Sequence, residues 1–465
     1  MNFTVSDILD ATGGRLIAGA AESDAGAVST DTRSLTAGQA FVALAGDVFD
    51  AHTFLADAAN AGAACLVVQD ADAGTKAAAR SGAAVVLVED TRRALADLGR
   101  AARDRLRCPV IAITGSCGKT TTKEMLGQIL SVRLRGQAPP ASYNNEIGVP
   151  LTLLAAGPDD AFVVCELGTN APGEVARLAA IARPTIGIVT LVAPTHLAGL
   201  TSIEGVADEK AALVEAIPPE GVVILNADDP RVAAMADRCR GRVVLVGTSW
   251  EADLQAGHVI QTDRGVYFTT SGSAGFELPV LGRHHAVLAL AAAAAARELG
   301  IPIEESAATL RSYTPPPMRL ALSTIGDVTV LNDAYNASPA SMATALDLLT
   351  LWPDRRKVLF CGDMLELGNA GPQAHADLGR LVAEADVTAL VCAGRHTQAT
   401  AEAAVEAGLV PENVLTVASA QAAADRVLDI VVAGDVVLVK GSRAMGMECV
   451  VEAIAGAFGR PGAGA

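Results

Sequence analysis

Short apolar runs punctuate the chain at intervals too wide for hairpins. From residue 108 they read CPVIAIT, AFVVCEL (161–167), TIGIVTLV (185–192) and GVVILN (221–226), separated by turns and helical segments. Because these runs are apolar at nearly every position, not at alternate ones, they predict strands buried on both faces, the pattern of a parallel sheet covered by helices. The alternation restarts with VTVLND (328–333), KVLFCGD (357–363), TALVCAG (388–394) and DVVLVKG (435–441). Between the two series lies SYTPPPMRL (312–320), whose three consecutive prolines neither a helix nor a central strand tolerates. Ahead of both, GQAFVALAG (38–46) and AGAACLVVQD (61–70) predict strands, and RRALADLGRAARDRL predicts a helix.

The pattern predicts an α/β protein of three domains. The expected units are residues 1–104, a small N-terminal α/β domain to which the resemblance described below gives the substrate; 105–312, a central doubly wound domain to which the glycine turn described below gives P-loop ATPase character; and 313–465, a C-terminal Rossmann-like domain that lacks GxGxxG at its first turn. A length of 465 residues fits three cores of about 150 residues each. The longest apolar stretch, AVLALAAAAAA (286–296), falls short of the about 20 residues that span a bilayer, so it predicts a buried helix and no membrane insertion. Disorder is expected only in the tail RPGAGA.

Charge narrows the partners. With 52 acidic and 35 basic residues the net charge is −17, which repels nucleic acid and anionic membrane; an anionic substrate must meet locally concentrated Lys, Arg or metal. The start MNFTVSDILDATGG lacks the basic end and apolar core of a signal peptide, and eight scattered cysteines without a CxxC pair fit thiols in a reducing cytoplasm. The expected location is cytoplasmic.

The candidate chemistry begins at ITGSCGKTTTKEML (113–126), where a buried strand, a glycine turn and a helix opening on Lys-Thr-Thr coincide. Backbone N–H groups at such a turn face a phosphate, Lys119 supplies a mobile cation, and the Thr120 hydroxyl is placed for Mg²⁺. Gly115, Ser116, Cys117, Gly118 and Thr121 complete the loop. Its spacing is compressed, since the position five before Gly118 is Ile113. Glu166 ends the strand AFVVCEL at the edge where an α/β sheet puts its ligand crevice, and His196 follows the next strand. On composition alone, Lys210 in SIEGVADEKAALVEAI reads as a solvated helix-face lysine.

The loop TGSCGKTT, with NNEIGVP (144–150), ELGTN (166–170), PTHLAG (194–199), LNADDP (225–230), LGRH (281–284), NDAYNASP (332–339), DMLELG (363–368) and VLVKGSR (437–443), resembles the Mur ligase family from about residue 28 to 450. Within the family, NNEIGVP, ELGTN, DAYNASP and DMLELG most resemble the branch that joins D-alanyl-D-alanine to UDP-N-acetylmuramoyl tripeptide. The resemblance implies an ATP- and Mg²⁺-dependent amide ligase, acting as a monomer through an acyl phosphate and releasing ADP and phosphate. It implies catalytic roles for Lys119, His196 and Lys210, and metal contacts from Thr120, Glu166, His196 and Lys210, with Lys210 carrying a carbamate. Arg319, Asp333 and Tyr335 resemble residues near the nucleotide. Thr32 and Arg33 resemble uridine-nucleotide contacts, Asn145 resembles a substrate contact, and Lys440 and Arg443 resemble residues that hold an incoming carboxylate.

Among the departures from the family pattern, which include PTHLAG, TLVA (190–193), Thr32 and Ala51, two bear on the adenine. His285 and Leu288, in GRHHAVLALAA, stand where the family has asparagines, and neither offers the paired donor and acceptor of an amide to an adenine edge. Three alternatives stay open at this point: a ligase adding the third amino acid, a folylpolyglutamate synthase, and a nucleotide-binding paralogue without turnover.

Overall fold

The computed structural model describes residues 1–46, 49–139, 142–270 and 274–459; the tail 460–465 lies outside the described residues. Among the described residues the strands assemble into four sheets. Ala84–Leu87, Cys65–Val68, Ala40–Val42 and Val28–Ser29 lie parallel in that order, and Arg15–Ala18 pairs antiparallel at the edge. Phe3–Thr4 and Asp24–Gly26 form a separate antiparallel pair.

The central sheet positions the site. Its parallel part runs Arg242–Gly247, Val222–Asn226, Ile186–Val189, Val110–Thr114, Phe162–Glu166 and Gly136–Gln137 in spatial order. Val110–Thr114 therefore lies between Ile186–Val189 and Phe162–Glu166, so the turns that leave these three strands open at one sheet edge. Every residue of these three strands is buried, which explains the unbroken apolar runs. The sheet continues into a meander, Leu254–Thr262, Gly265–Thr270 and Gly275–Leu278, whose last two pairings are antiparallel. The apolar pattern does not predict this extension, because its strands alternate buried and exposed positions and lack a continuous apolar run.

The run 286–296 is a helix, His285–Glu298, buried throughout its first twelve residues. Its alanines let it lie close against the helix Lys119–Ser131 that follows the glycine turn. The third large sheet orders Ala321–Ile325, Val328–Asp333, Val436–Lys440, Lys357–Gly362, Ala389–Ala393 and Val414–Val417, antiparallel only at the first pair. Among the described residues no helix is long and apolar enough to cross a membrane, and all eight cysteines are free.

Candidate active site

The sequence ITGSCGKTT folds as a strand, a tight loop and a helix because two glycines take conformations closed to other residues. Gly115 has φ +148° and Gly118 has φ +85°; a Cβ would stand 1.9 Å from Thr190 Oγ1 at the first and 2.8 Å from Leu288 Cδ2 at the second. Ser116 pins the loop to the next strand, its N–H donating to Leu191 O at 2.7 Å and its hydroxyl to Ala193 O at 3.0 Å. Thr190 Oγ1 donates to Cys117 O at 2.5 Å. Cys117 Sγ lies 3.9 Å from Ser338 Oγ of the C-terminal domain. The Lys119 ammonium curls back to Gly115 O at 2.6 Å, and burial pushes its pKa down while Glu166 opposes the shift.

A network of oxygens faces this loop. Thr120 Oγ1 donates to Glu166 Oε2 at 2.9 Å, and Asn144 Nδ2 donates to Glu166 Oε1 at 3.0 Å. Arg319 Nη2 donates to Thr120 Oγ1 at 3.1 Å, and its guanidinium lies 3.9 Å over the Tyr335 ring. The Tyr335 hydroxyl donates to Ser142 Oγ at 3.2 Å, which in turn lies 3.2 Å from Thr120 Oγ1. Residues some two hundred positions apart thus meet at one threonine. Thr121 is buried in the first turn of the same helix.

His196 sits in the left-handed region at φ 54° and meets the C-terminal domain: its Nδ1 lies 2.6 Å from Glu366 Oε2. Burial lowers the His196 pKa and Glu366 opposes that effect. No hydrogen bond joins His196 to Glu166 among the described residues, although both line the same cleft.

Lys210 is 1% exposed, on the helix Ile203–Ala216, so the solvated-lysine reading gives way to a buried amine. It lies behind the cleft wall, outside the lining. Burial first, and then the charge of Lys119, pushes its pKa down to about 7. The neighbouring Glu209 accepts from Gly173 N at 2.6 Å, Val175 N at 2.7 Å and Thr169 Oγ1 at 3.2 Å, fixing the turn that follows Glu166.

The remaining candidates separate. Asp333 and Lys440 are buried together as an ion pair, with Leu320 N donating to Asp333 Oδ1 at 3.0 Å and Lys440 Nζ to Asn336 O at 2.8 Å. Burial raises the Asp333 pKa, and Lys440 opposes it. Arg443 lines the cleft and pairs with Glu448 at 2.7 Å. Asn145 uses its side chain locally, accepting from Gly148 N at 2.9 Å and Ile147 N at 3.2 Å. Thr32 and Arg33 lie outside the cleft lining, and Arg33 pairs with Asp31 at 2.7 Å.

His285 and Leu288 line the cleft, where Leu288 covers Gly118. His285 Nδ1 lies 3.1 Å from Gly282 O, and burial pushes its pKa down to about 4.

These elements enclose a cleft of about 1390 Å³ that the central domain shares with residues from both flanking domains. The glycine cradle, the Lys119 ammonium and the helix N-terminus suit a polyphosphate. One carboxylate and one hydroxyl, Glu166 and Thr120, suit Mg²⁺, which takes few protein ligands and completes its shell with phosphate and water. Among the described residues no group of three or more His, Cys, Asp or Glu is disposed to hold a metal by itself. Sequence reasoning missed Ser142, Asn144 and Glu366. Each lies within or beside a quoted motif, yet nothing in NNEIGVP distinguishes the asparagine that reaches Glu166 from the one that caps the next turn.

Family models match in chain order: "Mur ligase family, catalytic domain" over residues 25–103, "Mur ligase middle domain" over 113–296, and "Mur ligase, glutamate ligase domain" over 318–443. The UDP-N-acetylmuramoyl-tripeptide--D-alanyl-D-alanine ligase of Bacillus subtilis (strain 168) is 34% identical over 428 residues, covering 91% of this chain and 92% of the relative. The ligase of the same name from Escherichia coli (strain K12) is 34% identical over 470 residues, covering 98% of each. A crystal structure of MurF from Acinetobacter baumannii superposes with a TM-score of 0.87 at 28% identity, covering 98% of this chain and 99% of that one.

Proposed function

Since the chain belongs to the Mur ligase family, we propose that its cleft joins D-alanyl-D-alanine to UDP-N-acetylmuramoyl tripeptide at the expense of ATP. The observation that carries this reading is the meeting of Thr120, Glu166 and Arg319 at the phosphate loop, which puts a phosphate-binding turn, an acidic strand tip and a C-terminal-domain cation in one place.

In the proposed reaction the acceptor carboxylate attacks the γ-phosphorus of ATP in line, forming an acyl phosphate and ADP. The amine of D-alanyl-D-alanine then attacks the acyl carbon, and the tetrahedral intermediate expels phosphate to leave the amide. Lys119 and the loop N–H groups neutralise the charge that spreads over the phosphoryl oxygens. Arg319, held flat on Tyr335, adds a cation from the opposite wall. Thr120 and Glu166 are the residues that would hold Mg²⁺, which when bound neutralises phosphate charge as a Lewis acid. His196, which lines the same cleft, is assigned to the same ion. Lys210 is assigned to carry a carbamate: a pKa of about 7 leaves much of the amine uncharged at neutral pH, the form whose nitrogen adds CO₂, and loss of one proton to water leaves the product an anion.

Asp333 and Lys440 are assigned to holding the C-terminal wall of the nucleotide site, since each neutralises the other. Arg443 is assigned to the incoming dipeptide's carboxylate. Residues 1–104 take the uridine nucleotide, 105–312 the ATP, and 313–465 close the cleft. Sequestration serves the chemistry because an acyl phosphate exposed to water hydrolyses.

Phosphate release from ATP tests this reading. With UDP-N-acetylmuramoyl tripeptide present, release that depends strictly on D-alanyl-D-alanine supports it. Release with folate and glutamate instead, or nucleotide binding without release under any mixture, contradicts it.

A further inference from the structure

One arm of the cleft has no role in the chemistry above. It runs between the helices Thr91–Arg105 and Glu174–Ala182, with Arg92, Arg93 and Arg100 on one wall, Arg177 on the other, and Leu178 and Ile181 in its floor. The helices approach closely because Gly99 faces Pro150 and Ile181; a Cβ there would stand 2.9 Å from Pro150. In a chain of net charge −17, four guanidinium groups gather on this one arm.

Asp90, Glu146 and Glu174 line the same arm and Asp97 stands beside it, so four carboxylates match the four guanidiniums in number, yet they do not take up all of the guanidinium donors. Arg92 pairs with Glu146 at 3.3 Å, while Arg93 and Arg100 share the single carboxylate of Asp97. Asp90 and Glu174 turn to backbone amides, Asp90 toward Arg92 N and Arg93 N and Glu174 toward Asn170 N and Ala171 N. Arg177 has no side-chain carboxylate partner among the described residues. The side chains of Arg93 and Arg100 are 76% and 45% exposed, so their donors remain open to a ligand.

The position of the arm identifies what enters it. Asn144 touches Glu166, and Glu146, two residues on, touches Arg92, so the arm adjoins Glu166 and the glycine loop, where an acceptor carboxylate must sit to reach a γ-phosphate held there. The group covalently next to that carboxylate is the third residue of the acceptor peptide and its side chain. We propose that Arg93, Arg100 and Arg177 form a specificity pocket for an acceptor whose third side chain carries its own carboxylate. Methylenes of that side chain lie on Leu178 and Ile181, and its carboxylate meets the guanidinium groups. This inference rests on the functional reading above.

The test measures kcat/KM for two acceptor nucleotides, one ending in 2,6-diaminopimelate and one ending in lysine, with ATP and D-alanyl-D-alanine. The unsubstituted protein should prefer the diaminopimelate form by about tenfold or more. Arg177→Ala and Arg100→Ala should each lower kcat/KM for that form about tenfold, chiefly through KM, and leave the lysine form within about twofold. Arg177→Glu should move the preference toward lysine. An equal loss on both substrates would overturn the proposal and give the guanidiniums to the diphosphate or another shared group; no loss on either would overturn it too. If the unsubstituted protein turns over neither nucleotide, the functional reading fails and this inference with it.

Discussion

Thr120 Oγ1 lies 2.9 Å from Glu166 Oε2, joining the first turn of the phosphate-loop helix to the tip of the neighbouring strand. The pair exists because Val110–Thr114 and Phe162–Glu166 are adjacent parallel strands in register, Glu166 opposite Ile113, so both turns leave the sheet together. Glu166→Gln keeps the shape and removes the charge: its carbonyl still accepts from Asn144, and its amide NH₂ donates to the Thr120 hydroxyl, which donated to the carboxylate. The expected result is a folded protein with an unchanged melting temperature and a turnover lower by about a thousandfold, read by phosphate release.

Gly118→Ala tests the cradle itself. At φ +85° any side chain is strained, and the added Cβ meets Leu288 at 2.8 Å. A loss of about 1–3 kcal/mol of stability is expected, measured by denaturant unfolding. Combining it with Leu288→Ala should remove the clash share of its effect on ATP affinity but not the backbone share, so ATP affinity should recover only in part.

Lys210 predicts opposite effects on stability and activity. Its folded pKa of about 7 lies below the ordinary lysine value of 10.5, so the unfolded chain binds the extra proton between those values and this lysine's contribution to stability rises with pH across that window. Lys210→Met should therefore stabilise the fold in CO₂-free buffer, more at about pH 6 than at about pH 10, by calorimetry. The same substitution should abolish turnover. In the unsubstituted protein, ¹³C-bicarbonate should give a carbamate resonance that fades as pH falls below about 7, where the amine is protonated.

Glu366→Ala removes the partner of His196 across the two domains. Because the Glu366 side chain is 60% exposed, its pair contributes little to stability, at most about 1 kcal/mol. Its expected effect is on closure: kcat/KM falls about tenfold while the melting temperature stays, and ATP hydrolysis without amide formation rises as the acyl phosphate meets water.

The parallel sheets were legible in the sequence because a strand buried on both faces leaves an unbroken apolar run, as at AFVVCEL. The meander at Leu254–Thr262 was not, since a half-exposed strand such as LQAGHVIQT mixes polar and apolar residues without a clean period. In the site, the glycine turn and Glu166 were legible from local order alone. The burial of Lys210 was not: DEKAALVEA has the composition of a solvated helix, and only the tertiary placement of that helix against the sheet removes its lysine from water. The same limit applies to Lys440, whose ion pair with Asp333 joins two strands distant in sequence but adjacent in the sheet.

The destination of the γ-phosphoryl group is tested most directly by isotope transfer. With UDP-N-acetylmuramoyl tripeptide labelled with ¹⁸O in the reacting carboxyl group, ATP and D-alanyl-D-alanine, one ¹⁸O should appear in each inorganic phosphate released, carried there when the amine displaces the acyl phosphate. Phosphate free of label, with the oxygen displaced from the carboxyl group found in water or in the nucleotide, would contradict the account.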